Sequence, residues 1–125
     1  INTLDEKGIS PLSWAALMGQ NDAIKFLLEQ NADINRRNAD GGTALHAAAF
    51  LGRTSTVTLI LARGADCNIK NNNGQTALQT IASGWNPEMR GIVEYIAYLL
   101  SIKVNPEAIG QAWPGIIQQL RTIGQ

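Results

Sequence analysis

Residues 41–52 read GGTALHAAAFLG and residues 62–68 read ARGADCN, and these two stretches decide the fold of the chain. Parts of them recur at a distance of 33 residues. The same step separates the members of each of these sets: Gly8, Gly41 and Gly74; Ser10, Thr43 and Thr76; Leu12, Leu45 and Leu78; Ala32 and Ala65; Asp33 and Asp66. Self-similarity at a fixed period of this length is the sequence signature of a repeat protein.

Each unit reads as a turn followed by two helices. Asp40-Gly41 is a turn dipeptide, and Thr43 behind it is a residue type that caps helices. A short helix rich in alanine follows and stops at Gly52. The second helix carries apolar residues at i, i+3, i+4 spacing, which are Val57, Ile60 and Leu61, and ends at Gly64, as its counterpart ends at Asn31. Such units bury their apolar faces only by stacking, which predicts an all-α solenoid; a generic helical bundle has no reason to repeat its turn glycines.

The repeated unit resembles the ankyrin repeat, whose signature is T-P-L-H-x-A-A followed by G-A-D-x-N. The stretches quoted above match it best. Weaker copies are GISPLSWAALMG with QNADIN, and GQTALQTIASG. The resemblance covers about residues 1–105 and implies an ankyrin-repeat solenoid of stacked helix–turn–helix units. Because Ile1-Asn2 lies 33 residues before Ile34-Asn35, we expect the chain to be a fragment that begins at the tail of a preceding repeat.

The third unit departs from the period. Its apolar triplet Ile96, Leu99 and Leu100 lies 39 residues after Val57, Ile60 and Leu61, which predicts six inserted residues around 84–89. Asn86-Pro87-Glu88 has the composition of a helix start. We therefore predict three repeats over 4–36, 37–69 and 70–105, the third modified by this insertion.

Residues 106–125 lack the repeat signature and are predicted to form a helical C-terminal cap. Asn105-Pro106-Glu107 is another helix start, and Pro114 should begin a new helix or kink the old one. The apolar residues fall at helical spacing, at Ile109, Trp113, Ile116, Ile117 and Leu120. The alternative is that Trp113 belongs to a partner-binding segment.

Composition excludes several classes of function. Ten Lys and Arg balance ten Asp and Glu, so we expect no binding to nucleic acid or to a membrane surface. No apolar run approaches the roughly 18 residues that a spanning helix needs. The single cysteine rules out an internal disulfide and is compatible with a reducing compartment such as the cytoplasm. We expect a monomer.

Few side chains could carry chemistry. His46 is the only histidine, and the resemblance implies a structural ring that bonds to backbone in the turn region. Cys67 occupies the position of Ile34, which predicts a small core residue rather than a reactive thiol. Asp33 and Asp66 are expected in turns. We therefore expect no enzyme activity, no cofactor and no metal site.

The resemblance implies a binding surface on the concave side, made of turn tips and the inner helices. Transferred by position, the tips contribute Glu6, Lys7, Asp40, Asn73 and Gln75, and the ends of the first helices contribute Leu17, Met18, Phe50 and Leu51. The apolar four could form an interface or pack between repeats. The predicted function is a protein–protein interaction module that binds a partner through the concave face and turn tips. The alternative is a structural or autoinhibitory spacer within a larger enzyme or effector.

Overall fold

The computed structural model describes residues 2–123, which form seven α-helices and no strand. The helices are α1 (Pro11–Leu17), α2 (Asn21–Glu29), α3 (Ala44–Phe50), α4 (Thr54–Ala62), α5 (Ala77–Ile81), α6 (Pro87–Leu100) and α7 (Pro106–Ile123). Helices α1, α3 and α5 stand side by side as an inner row, and α2 and α4 pack behind them. The predicted all-α stack is confirmed.

Local sequence explains where the inner helices begin. The hydroxyl of Ser10 accepts a hydrogen bond from the backbone N–H of Ser13 at 3.1 Å, and Thr76 caps α5 in the same way. Alanines such as Ala16 and Ala48 are fully buried, because their small side chains let neighbouring inner helices approach closely. Each inner helix is thus started by a hydroxyl cap and packed through alanine.

The loops that follow the outer helices are joined by a ladder of side-chain hydrogen bonds. The Asn2 amide oxygen accepts from the Asp33 N–H at 2.8 Å, and Asn35 does the same for Asp66 at 2.9 Å. The carboxylates of both aspartates accept from the backbone N–H two residues on. The expectation that Asp33 and Asp66 hold turns is confirmed.

Helix α7, rather than α6, completes the outer row beside α4. It packs against α3, α4 and α5, and it buries Ile109, Trp113, Ile116 and Leu120. The Trp113 indole N–H donates to the Phe50 carbonyl at 3.1 Å, just as the Arg53 side chain donates to the Leu17 carbonyl at 3.0 Å one repeat earlier. We infer that the third repeat consists of α5 and α7, with α6 inserted between them.

The close approach of α7 depends on glycine at position 52. Gly52 has a left-handed backbone (φ 69°), and a Cβ there would lie 2.9 Å from the Cα of Ile109. A larger residue would push α7 away from the stack and strain its own backbone. The turn glycine that ends α3 therefore also serves as the docking point of α7.

Three expectations for the C-terminal third are wrong. Ile96, Leu99 and Leu100 do not form the buried face of an outer helix, since Leu99 is exposed and α7 holds that place. Trp113 is completely buried, so it is not available to a partner. No new helix begins at Pro114, because α7 runs through it; the proline lies on the exposed side, where water can satisfy the carbonyl that lacks a donor.

Candidate functional site

A cleft of about 600 Å³ opens on the concave side of the stack. The turn tips and inner helices form its floor, and α6 forms a second wall. The wall is close to the far end of the stack, since the Lys7 ammonium donates to the Leu99 carbonyl at 3.1 Å. Helix α6 therefore runs along the concave face from the third repeat to the tip of the first.

The floor of the cleft is apolar at its centre. Leu17, Ala47, Phe50 and Leu51 line it. Leu17 and Leu51 are only 7% and 2% exposed, because both are part of the buried core that joins the repeats. Phe50 is half-buried and its ring lies 5.8 Å from that of Trp113.

The expectation of four exposed apolar residues is therefore wrong in part. Met18 is 40% exposed but does not line the cleft, and the two leucines chiefly pack between repeats. Phe50 keeps a face toward the cleft while its ring and carbonyl support Trp113. Packing explains most of the spacing that made these four residues conspicuous in the sequence.

The second wall consists of one face of α6. Met89, Ile92, Ile96 and Leu100 line the cleft at i, i+3, i+7, i+11 spacing. The adjoining face of α6 is buried through Val93 and Ala97, which hold the helix on the protein. Arg90 pairs with Glu94 and with Glu107 at the start of α7. These two carboxylates raise the pKa of the Arg90 guanidinium, which stays charged.

The rim of the cleft is polar. Lys7, Asp40, Asn73 and Gln75 line it, as do Asn38 and Asn71. The Asp40 carboxylate accepts from the Gly42 N–H at 2.8 Å, so it stabilises its own turn. Glu6 is exposed on the first tip but lies outside the cleft lining. Most residues that the sequence assigned to a concave surface are thus gathered in one place.

His46 ties the second repeat to the third. Its Nδ1 accepts from the Thr43 backbone N–H at 3.1 Å, so the proton is on Nε2, which donates to the Gln75 carbonyl at 3.0 Å. The ring is nearly buried. The expected structural role of His46 is confirmed, and both its nitrogens are occupied.

The first turn is organised by an acidic residue that the sequence comparison passed over. Asp5 Oδ1 accepts from the N–H groups of Lys7 and Ile9, both at 3.0 Å, and Oδ2 accepts from the Trp14 indole. The Trp14 bond, followed by the backbone bond from Ile9, lowers the pKa of this carboxyl below its ordinary value. Asn38 and Asn71 stand at the same point of later repeats, so the 33-residue period could have identified this position.

The remaining reactive side chains are not grouped. Cys67 is half-buried and packs against the core. Within residues 2–123, no three His, Cys, Asp or Glu side chains are close enough together to hold a metal ion. No helix of that range has the length and apolar character to cross a membrane. The geometry of the cleft suits binding through shape and apolar contact.

Two family models match the chain. One, for ankyrin repeats in three copies, covers residues 1–71, and the other, for ankyrin repeats in many copies, covers residues 45–100. The second match includes α6, although α7 takes the outer position in the structure. Sequence matching thus follows the chain order, whereas packing skips one helix.

Curated relatives are similar over one repeat or slightly more. The chain is 46% identical over 39 residues to palmitoyltransferase akr1 of Aspergillus oryzae, which is 31% of this chain and 5% of that protein. It is 44% identical over 46 residues to a transient receptor potential cation channel subfamily A member 1 homolog of Caenorhabditis elegans, 37% of this chain and 4% of that protein. An ankyrin repeat-containing protein of Schizosaccharomyces pombe is 43% identical over 44 residues, 35% of this chain and 21% of that protein. The matches therefore span a small part of each relative.

Proposed function

Because this chain belongs to the ankyrin repeat family, we propose that it binds a partner protein through its concave cleft. Ankyrin repeats are in general protein–protein interaction modules. The observation that supports this use of the cleft is its lining, which joins the tips of all three repeats to an apolar floor. Concave sites with apolar walls and a few polar groups are the usual form of binding sites in proteins.

Affinity capture with the tagged chain, followed by mass spectrometry, tests the proposal. The variant is Ala47→Glu, which places a charge in the floor of the cleft, where Ala47 is half-buried. The matched control is Ala62→Glu, the same change on the exposed side of α4. We expect the first variant to weaken binding of the captured partner at least tenfold, equivalent to about 1.4 kcal/mol, and the control to bind normally. Equal binding by both variants, with both folded, would exclude the cleft.

A second candidate function is a spacer within a larger protein, structural or autoinhibitory. It is favoured by the lengths of the relatives, since this chain spans 5% of the palmitoyltransferase and 4% of the channel homolog that it resembles. An autoinhibitory spacer would bind another part of its own protein through the same cleft. Capture of a segment of the full-length protein, rather than of a separate partner, would support this second function.

A further inference from the structure

Helix α6 gives the concave face a second wall. In the first two repeats the inner and outer helices follow each other directly, so their part of the concave face has the stack alone behind it. After α5 the chain makes a 14-residue helix that no other repeat has, and only then returns to the stack with α7. The insertion thus adds to the concave side rather than to the core.

The wall is fixed at several points. Val93 belongs to the buried cluster of the repeats, Arg90 pairs with Glu107 at the start of α7, and Lys7 bonds to the Leu99 carbonyl. The first two contacts hold the N-terminal half of α6, and the third holds its C-terminal end. Both ends of the helix are therefore in contact with the rest of the molecule.

The side chains that face the cleft are left partly uncovered on both sides. On the floor, Ala47 and Phe50 are half-buried; on the wall, Ile96 is half-buried and Ile92 is 40% exposed. Apolar surface in this arrangement gains free energy when an apolar occupant displaces water from it. An occupant would be covered from two sides at once.

Charge and volume define the occupant. The charged groups among the lining residues are engaged within the protein, Lys7 with Leu99 and Asp40 with the Gly42 N–H. The volume of about 600 Å³ is that of a site for a ligand or short peptide, which is in the range of about 300–1,000 Å³. An extended strand about 4.8 Å by 10 Å in cross-section would place roughly four residues in this space.

We propose that the cleft holds a short, uncharged apolar segment of a partner protein, about four residues long, between the stack and α6. This inference rests on the proposed function and adds the chemistry of the partner and the part played by α6. Selectivity comes from both walls, because a charged or bulky folded surface could contact the floor only if α6 moved. The inserted helix is thus a determinant of which segment binds.

A phage-displayed library of random 12-residue peptides, selected on the intact chain, tests the proposal. Enriched peptides are synthesised with a fluorescent label and titrated by fluorescence anisotropy. The wall variant is Ile92→Glu, and its control is Tyr95→Glu, an equally drastic change on the exposed side of α6 that does not line the cleft. Thermal melting confirms that each variant is folded.

We expect the enriched peptides to share an uncharged apolar core of about four residues. Their affinity should fall at least tenfold in Ile92→Glu and in the floor variant Ala47→Glu, and stay unchanged in Tyr95→Glu. A charged consensus, a library without binders, or full affinity in Ile92→Glu with loss in Ala47→Glu would overturn the two-walled cleft. The last of these results would leave the proposed function standing, whereas full affinity in both variants would remove that as well.

Discussion

His46 shows how much one side chain contributes to a repeat protein. Its ring satisfies the N–H of its own helix cap and the carbonyl of the next turn, so it joins two units that have few other polar contacts on this side. Gln79, at the same point of the third repeat, accepts from Thr76 N–H at 2.8 Å. Glutamine can therefore replace the capping half of the interaction.

We expect His46→Ala to lower the free energy of unfolding by about 1–3 kcal/mol, because it leaves buried backbone groups without partners. His46→Gln should lose less, since its amide oxygen can accept from the Thr43 N–H. Urea unfolding followed by circular dichroism measures both. An alanine variant as stable as the wild type would show that water replaces the ring.

Asp5 makes the stability of the first turn depend on pH. Its pKa is lowered in the folded protein, so its stabilising effect is complete above the unfolded pKa near 3.8 and disappears as the pH falls through the lower folded pKa. Asn71 forms the equivalent bonds to Asn73 and Gln75 N–H, so asparagine is compatible with this turn.

We therefore expect the wild type to lose more stability than Asp5→Asn when the pH is lowered from 5 to 2. The difference between the two curves isolates this carboxyl from the other acidic groups, which both proteins share. Unfolding in urea at a series of pH values gives the curves. Parallel curves would mean that the Asp5 bonds do not survive in solution.

Among the elements, α7 makes the largest contribution to the end of the stack. A chain that ends at Asn105 would expose the surfaces of α3, α4 and α5 that α7 covers. Trp113 is the centre of this contact: it is fully buried and its ring lies 5.0 Å from that of Trp85 in an edge-to-face arrangement. The cap predicted from the sequence is in effect part of the last repeat.

We expect removal of residues 106–125 to cause aggregation or a large drop in melting temperature. Trp113→Ala should reproduce part of this loss, about 3–5 kcal/mol, which is the usual effect of emptying a large buried site. Gln118→Ala, an exposed change on the same helix, should alter stability by less than about 0.5 kcal/mol. Calorimetry together with size-exclusion chromatography provides the test. A truncated chain that stays monomeric with an unchanged melting temperature would contradict the packing described for α7.

At the scale of the whole molecule, the sequence predicted the stack well and its last unit poorly. The 33-residue period directly encodes the turns, caps and inner helices, because each copy faces the same neighbours as the one before. The period is lost after Gly84, where two amphipathic helices compete for one outer position. Local spacing favoured α6, but the competition is decided by tertiary packing: Trp113 fills the site, and Gly52 lets α7 approach.

The candidate site could be predicted only where it repeats. Lys7, Asp40 and Asn73 were found because the turn tips recur, and they do line the cleft. The wall residues Met89, Ile92 and Ile96 were missed, because α6 was assigned to the back of the stack. A sequence pattern gives the apolar face of a helix but not the surface on which that face is placed.

The detour through α6 has a consequence for how the protein is made. Arg53 closes on Leu17 across 36 positions, but Trp113 closes on Phe50 across 63. Contacts between distant positions form late and slowly. As the chain leaves the ribosome, the second repeat must wait, its Phe50 side uncovered, until nearly the last residues have emerged. The N-terminal units can assemble during translation, whereas the C-terminal unit closes only at release, and this interval is when a nascent chain of this kind most needs a chaperone.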